Sequence, residues 1–145
     1  MHDFGLQTSR GFRALKVWMA LKQHGVSKFG RLIEQDLANA RYLTERIKAT
    51  PDLKICFPTS INIVCFRYDP GGLGEAALKK LNTEIMVRMQ EAGVAAVSDT
   101  TVQGRHCLRA AINNHRTNRT DLDFLMDEVA RQGSAMIREA AHDRL

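Results

Sequence analysis

The run Ile61-Asn62-Ile63-Val64-Cys65-Phe66 limits the folds open to this chain more than any other stretch. Its β-branched and aromatic residues predict a strand that continues to Tyr68. Side chains along a strand point alternately to opposite faces. Alternation places apolar residues on both faces: Ile61, Ile63 and Cys65 on one, Val64 and Phe66 on the other. A strand of this kind is usually covered on both faces. Helices can cover one face, so we expect a further domain or a partner chain to cover the other.

The rest of the chain alternates between helical and strand periods, which predicts the order ααββαββα. Helices are predicted at about 12–25, 27–49, 74–92 and from 120 onward, and strands at 53–57, 61–68, 94–101 and 105–112. Because the strands come as hairpins, the pattern favours an α+β fold: an antiparallel sheet of about four strands with helices packed mainly on one face. Residues 1–145 are predicted to form a single domain, with a lead-in helix at 1–25 and the small domain proper at 26–145.

Two local signals sharpen these boundaries. Gln103-Gly104 is typical of a tight hairpin turn between the last two strands. Thr120, with Asp123 three residues later, has the spacing of a capping box and predicts the start of the last helix.

Composition excludes several classes of protein. The chain has 145 residues, 44% apolar and 26% charged, with no run approaching the roughly 20 apolar residues that span a membrane. No secretory signal is visible at the N-terminus, so a cytoplasmic location is expected. The net charge of +5 is spread over interleaved acids and bases, which argues against nucleic-acid binding. The three cysteines, 56, 65 and 107, lie in apolar runs without metal-ligand spacing, so buried reduced thiols are expected.

Arg109 is the strongest candidate for a functional side chain. In the predicted strand 105–112, alternation puts Arg109 on one face with Cys107 and Ala111, away from Leu108 and Ala110. A planar guanidinium among small and apolar neighbours is suited to bidentate capture of a carboxylate. The spacing alone equally allows an arginine paired with a nearby acid, or one that is simply exposed.

Other polar residues carry weaker signals. Arg10 and Arg13 share a helix face, which is typical of a basic helix surface. His24, His106 and His115 have no partner motif, so structural or exposed roles are favoured over acid–base catalysis. Trp18 is expected to pack, in a core or at an interface. The glycines at 71, 72 and 74 lack a phosphate-binding pattern and predict a loop.

Three segments carry a resemblance to a known family: Ser9-Arg10-Gly11-Phe12-Arg13-Ala14-Leu15-Lys16-Val17-Trp18; Val64-Cys65-Phe66-Arg67; and Leu108-Arg109-Ala110-Ala111-Ile112-Asn113-Asn114 followed by Thr120-Asp121-Leu122-Asp123-Phe124-Leu125. In this order they resemble the small C-terminal domain of the group II pyridoxal-phosphate-dependent amino-acid decarboxylases, which are fold-type I enzymes. The pattern is closer to bacterial aromatic-type members than to glutamate decarboxylases.

The resemblance implies roles for two arginines. Arg109 matches a strand arginine associated with the substrate's α-carboxylate, and Arg10 matches one that lies near the active site. It also implies a homodimer, with the small domain helping to close the active site over an amino-acid substrate.

The cofactor-binding residues of the family have no counterpart here. The family's Schiff-base lysine follows a histidine, and none of the seven lysines (16, 22, 28, 48, 54, 79 and 80) does. We therefore expect the large N-terminal domain to be missing, no catalytic residue to lie in this chain, and pyridoxal phosphate to be bound by the full-length enzyme rather than by this chain alone. The 145 residues by themselves should not decarboxylate anything.

Two other functions remain open. The chain could be a free-standing binding or regulatory module that dimerises through an exposed sheet face, which would give a stable dimer. A basic nucleic-acid binder is the weaker option, and it requires salt-sensitive binding to DNA or RNA.

Overall fold

The structure, a computed structural model, describes residues 11–142, which contain four helices and one four-stranded sheet. The elements in chain order are α1 (Arg13–His24), α2 (Val26–Ala49), β1 (Leu53–Ile55), β2 (Ile63–Tyr68), α3 (Glu75–Glu91), β3 (Ser98–Val102), β4 (Arg105–Ala111) and α4 (Arg119–His142). The predicted order ααββαββα is confirmed. The described residues fall into two compact units, 11–34 and 35–142. No helix within 11–142 is long and apolar enough to cross a membrane.

The first unit consists of α1 and the start of α2. Gly25 ends α1 with a φ of 75°, and its N–H donates to the carbonyl of Leu21 at 2.9 Å. A left-handed residue at this position is usually glycine, because a side chain would clash with the backbone. α1 buries none of its residues, and Trp18 is 58% exposed. Of the two roles predicted for Trp18, the core role is therefore wrong within the described chain.

The second unit is built on an antiparallel sheet with the strand order β1-β2-β4-β3. The central strands β2 and β4 pair Val64 with Ala110 and Phe66 with Leu108. β3 and β4 form the predicted hairpin, turning at Gln103 and Gly104 with φ of 49° and 77°. Positive φ at both positions is what a type I′ turn requires, and this turn matches the right-handed twist of its strands.

Helices α2, α3 and α4 cover one face of this sheet and form the core with it. The fully buried side chains include Leu43, Ile47, Val64, Phe66, Ile85, Met89, Leu108, Met126 and Val129. Asn82 of α3 is also buried, and its side chain is fully bonded to backbone. Its Oδ1 accepts from the N–H of Tyr68 at 2.8 Å, and its Nδ2 donates to the carbonyls of Tyr68 and Leu78, both at 2.9 Å. This clamp fixes α3 to the end of β2.

Helix α4 approaches the sheet closely at Gly133. A Cβ at this position would lie 2.5 Å from Cγ of Tyr68 and 2.6 Å from its Cδ atoms. Ordinary carbon contacts are about 3.5–4.0 Å. The glycine is therefore required by the Tyr68 ring, which is itself buried.

The strand predicted from Ile61 begins two residues later, at Ile63. Ile61 has a φ of 54° and is 70% exposed. Two backbone hydrogen bonds between Ser60 and Ile63, at 3.3 and 3.0 Å, close a tight turn around Ile61 and Asn62. Asn62 is held in turn by Ile112, with which it exchanges bonds of 2.8 and 2.9 Å. The turn is thus fixed from both sides, and it imposes the unfavourable backbone on Ile61.

The capping box predicted at Thr120 and Asp123 is wrong. The cap is Asn118, whose Oδ1 accepts from the N–H of Asp121 at 3.2 Å, while Asp121 Oδ2 accepts from the N–H of Asn118 at 3.0 Å. Asp123 instead joins α4 to α2, because it accepts from the Tyr42 hydroxyl at 2.8 and 2.9 Å and from Arg46 Nε at 2.7 Å. The hydrogen bonds from Tyr42 and from Arg46 lower the pKa of the Asp123 carboxyl below its ordinary value, against the effect of burial.

Candidate functional site

The sheet face opposite the helices carries most of the candidate residues, and we call it the open face. Strand alternation and the pairing register assign to it Lys54, Cys56, Ile63, Cys65, Arg67, Ser98, Thr100, Val102, Arg105, Cys107, Arg109 and Ala111. Ile63 is 38% exposed, and Arg109 and Ala111 are exposed as well. By contrast, Val64 and Phe66 on the other side of β2 are fully buried. The two-sided apolar pattern of β2 therefore leaves one apolar side accessible in the described chain.

All three cysteines lie on the open face as free thiols. Cys107 is buried, whereas Cys56 and Cys65 are half-buried. Burial raises the pKa of all three, and for Cys56 a hydrogen bond with Cys107 adds to it, so that its pKa reaches about 12. The thiols are thus neutral at pH 7, which makes them poor nucleophiles and poor metal ligands. No group of three or more His, Cys, Asp or Glu residues within 11–142 could hold a metal ion.

Arg67 on the open face is neutralised by acids at the end of the sheet. Its Nη1 donates to Glu75 at 2.8 and 3.0 Å, and its Nη2 donates to Asp69 at 3.0 Å. Asp69 also pairs with Lys54 at 3.2 Å and accepts from the N–H of Gly71 at 3.0 Å. Burial alone would raise the pKa of Asp69, but the bonds from Gly71, Lys54 and Arg67 hold it below its ordinary value. This network is structural, and it occupies both Arg67 and Lys54.

Arg109 has a different environment from Arg67. Its Nε donates to Ser98 Oγ at 3.0 Å, and within residues 11–142 no acid lies within ion-pairing distance of it. Neither terminal nitrogen has a hydrogen-bond partner among the described side chains or carbonyls. The residue opposite Arg109 on β2 is Cys65. Burial raises the pKa of its thiol, and the nearby arginine offsets only part of this increase. A guanidinium tethered at Nε, with both Nη groups free, presents the fork that binds a carboxylate through two hydrogen bonds.

The other residues singled out from the sequence lie elsewhere. Arg10 falls outside the described residues. Arg13 is exposed on α1, and His115 is exposed in the loop before α4. His106 is 3% exposed on the helix-covered side, with Nε2 3.3 Å from Thr83 Oγ1 and 3.8 Å from Asp99. Burial lowers the pKa of His106, so this histidine is neutral at pH 7 and belongs to the core.

The glycines at 71, 72 and 74 form the predicted loop. Gly71 and Gly72 both have positive φ, of 86° and 74°, and Gly74 is the cap residue of α3. The loop is closed by Asp69, which accepts from the N–H of Gly71. Asp69 thus occupies the N–H of Gly71 that a phosphate would need.

Sequence reasoning missed Ser98, the residue that holds Arg109. The available signal was the two-residue turn at Gln103 and Gly104, because such a turn fixes the register of its hairpin. Counting back from the pair Val102 and Arg105 places Ser98 opposite Arg109, as the structure has it.

Comparison with known proteins gives one consistent family. The model of the pyridoxal-dependent decarboxylase conserved domain matches residues 1–69. Tryptophan decarboxylase 1 of Oryza sativa subsp. japonica is 31% identical over 118 residues, which cover 79% of this chain and 23% of that protein. An aromatic-L-amino-acid decarboxylase of Bacillus atrophaeus is 28% identical over 128 residues, covering 88% and 27%. The chain thus spans about a quarter of the length of these relatives.

Solved structures of similar proteins agree with these sequence matches. The crystal structure of Oryza sativa TDC with PLP and tryptamine superimposes with a TM-score of 0.81 at 26% identity, covering 94% of this chain and 29% of that one. The resemblance and the α+β fold predicted from the sequence are therefore both confirmed.

Proposed function

We propose that this chain, which matches a region of the group II pyridoxal-phosphate-dependent decarboxylases in sequence and fold, is the small domain that helps to close their active site and bind the substrate carboxylate. The reaction class is that of an amino-acid carboxy-lyase. We further propose that Arg109 is the residue that receives the carboxylate.

The environment of Arg109 carries this proposal. An exposed arginine without an acid partner contributes little to the stability of its own domain. Its neighbour Arg67, 13% exposed at the side chain, is bonded to two carboxylates, whereas Arg109 faces outward with its Nη groups free. Decarboxylation needs the bond to the carboxylate held in a fixed orientation, and a bidentate arginine supplies such an orientation.

The residues of this chain do not by themselves fit pyridoxal phosphate. Lys54, the lysine on the open face, is engaged by Asp69 at 3.2 Å, and no lysine follows a histidine in the sequence. Pyridoxal phosphate, when bound in a decarboxylase, serves as the electron sink for the carbanion. What this chain supplies is therefore capture and orientation of the carboxylate and exclusion of water from one side of the site.

The rest of the catalytic machinery is assigned to other parts of the assembly. We propose a large cofactor-binding domain packed against the open face and a homodimer in the cytoplasm, acting on an amino acid. The partly exposed Ile63 and Val102 on the open face are the apolar contacts that such packing would bury.

Titration of the ¹⁵N-labelled chain with a small carboxylate tests the role of Arg109. N-acetyl-L-tryptophan supplies a carboxylate, and N-acetyltryptamine is a matched neutral ligand without one. We expect saturable shifts, in the millimolar range because one wall of the site is studied alone, at the amides of Cys65, Ser98 and Arg109 with the first ligand only. Arg109→Gln should abolish them, and Arg116→Gln in an exposed loop should not. Equal shifts in the Arg109→Gln chain would refute the proposal.

A free-standing dimerising module is the second candidate, favoured by the exposed apolar side chains of α1, among them Val17 at 61% and Trp18 at 58%. The charge of the open face argues against dimerisation through that face. Arg105 and Arg109 have no ion-pair partner within 11–142, so two copies placed face to face would bring like charges together. Sedimentation equilibrium of the 145-residue chain separates the candidates. A stable dimer independent of salt favours the module, whereas aggregation favours a domain separated from the rest of its enzyme.

A further inference from the structure

We infer that Ser98 is a positioning residue for Arg109, which it holds with the two terminal nitrogens directed at the carboxylate. This inference rests on the proposed function, and it names a residue that the sequence resemblance did not include. Ser98 is the first residue of β3, directly opposite Arg109 in the register.

The contact between the two residues is reciprocal. Arg109 Nε donates to Ser98 Oγ at 3.0 Å, and the same hydroxyl donates to the carbonyl of Arg109 at 3.4 Å. The hydroxyl is therefore an acceptor for the guanidinium and a donor to the backbone of the same residue. These two hydrogen bonds fix the side-chain torsion of Ser98 and satisfy its hydroxyl as both donor and acceptor.

The Nε contact decides how a ligand can approach. A guanidinium binds a carboxylate either through Nε and one Nη, or through both Nη groups. Ser98 occupies Nε, so the end-on approach through both Nη groups remains. Free arginine side chains lose rotamer entropy on binding. The Ser98 contact removes part of this cost before the ligand arrives, which is the physical content of the positioning role.

Neighbouring residues do not provide the same support. Thr100 shares the open face and the strand with Ser98, but it pairs with Cys107 and has no hydrogen bond with Arg109. Cys65 lies opposite Arg109 on β2 and offers only a neutral thiol. Within residues 11–142, Ser98 is thus the side chain that bonds to the guanidinium.

The test compares the parent 145-residue chain with four variants, with N-acetyl-L-tryptophan as the probe. The variants are Ser98→Ala, Ser98→Thr, Thr100→Ala and Arg109→Gln. Arginine-selective ¹⁵N spectra report the Nε–H of Arg109, which we expect to exchange slowly with water in the parent chain. Ser98→Ala should speed this exchange and raise the dissociation constant of the probe about five- to tenfold, as expected from the loss of one ordinary hydrogen bond. Ser98→Thr keeps the hydroxyl and should restore both. Thr100→Ala should change neither.

The outcomes distinguish a failure of the positioning role from a failure of the proposed function. Slower exchange and tighter binding in the parent and Ser98→Thr chains than in the Ser98→Ala chain support the positioning role. If Arg109→Gln abolishes binding while Ser98→Ala binds as the parent does, the positioning role is overturned and the proposed function stands. If the parent chain does not bind the probe through Arg109, the proposed function fails and the positioning role fails with it. Equal weakening by Thr100→Ala overturns the inference, because it would show a general effect of β3.

Discussion

Replacing Gly133 with alanine should destabilise the chain, although alanine is the better helix former. The residue lies in the buried part of α4, and the added methyl would be 2.5–2.6 Å from three atoms of the Tyr68 ring. These are the Cγ and Cδ atoms at the base of the ring, which cannot move without the whole side chain. The backbone of Tyr68 is held on both its N–H and its carbonyl by Asn82.

The size of the effect follows from two opposed contributions. An alanine in place of a helical glycine gains about 1 kcal/mol. Overpacking a core costs about 1–3 kcal/mol, and the clamp by Asn82 puts this site at the upper end. We therefore expect a net loss of about 2 kcal/mol in the free energy of unfolding. With a urea slope of about 2 kcal/mol per molar, the midpoint should fall by about 1 M.

Urea denaturation followed by circular dichroism at 222 nm measures this loss. Gly30→Ala is the matched control, because Gly30 is also within a helix and its added methyl meets nothing within 4 Å. It should leave the midpoint unchanged or raise it. Combining Gly133→Ala with Tyr68→Leu should remove most of the penalty, as a double-mutant cycle detects. A Gly133→Ala chain as stable as the parent would show that the close packing of α4 on β2 is wrong.

Three further results are expected from the same structure. Ile61→Gly should raise the free energy of unfolding by about 1 kcal/mol, because a β-branched residue at φ 54° is strained and glycine is not; a lower midpoint in urea would argue against that backbone. Burial depresses the pKa of His106 in the folded chain, so the unfolded chain binds the proton more readily, and the stability is complete above about pH 6.5 and declines as the pH falls below it. Denaturation at pH 7.5 and 5.5 should show a smaller difference for His106→Gln than for the parent, and identical differences would contradict the buried histidine. Burial and Cys107 raise the pKa of Cys56 to about 12, so Cys56 should react with iodoacetamide at pH 8 at least about tenfold more slowly in the folded chain than in urea. Peptide mass spectrometry measures the two rates, and equal rates would mean that the thiol is exposed.

Much of the fold could be predicted because the residue spacing changes clearly between helix and strand. The order of the elements and the Gln103–Gly104 hairpin follow from local signals and are confirmed. The face assignment in β4 is confirmed as well, with Leu108 in the core and Arg109 exposed. By contrast, the pairing of β2 with β4 joins strands separated by α3, so no local pattern could specify it.

The wrong predictions have identifiable physical causes. Ile61 favours a strand by its residue type, but the turn that Asn62 and Ile112 anchor imposes a left-handed backbone on it. Asp123 has capping-box spacing, but its carboxylate is used by Tyr42 and Arg46 on another helix. In both cases a tertiary contact overrides the local preference. The Ser98 contact was missed for a different reason, since it required the register to be counted through the turn.

Turnover by the isolated 145-residue chain tests the division of labour most directly. Purified chain is incubated with pyridoxal phosphate and L-tryptophan, and tryptamine is measured against pyridoxal phosphate alone. We expect no tryptamine above that background, because the proposed role of Arg109 and Ser98 is to hold a carboxylate and no residue of this chain is proposed to carry out the chemistry. Enzymatic turnover with a saturable dependence on L-tryptophan would contradict the assignment of this chain as a carboxylate-binding domain without its own catalytic site.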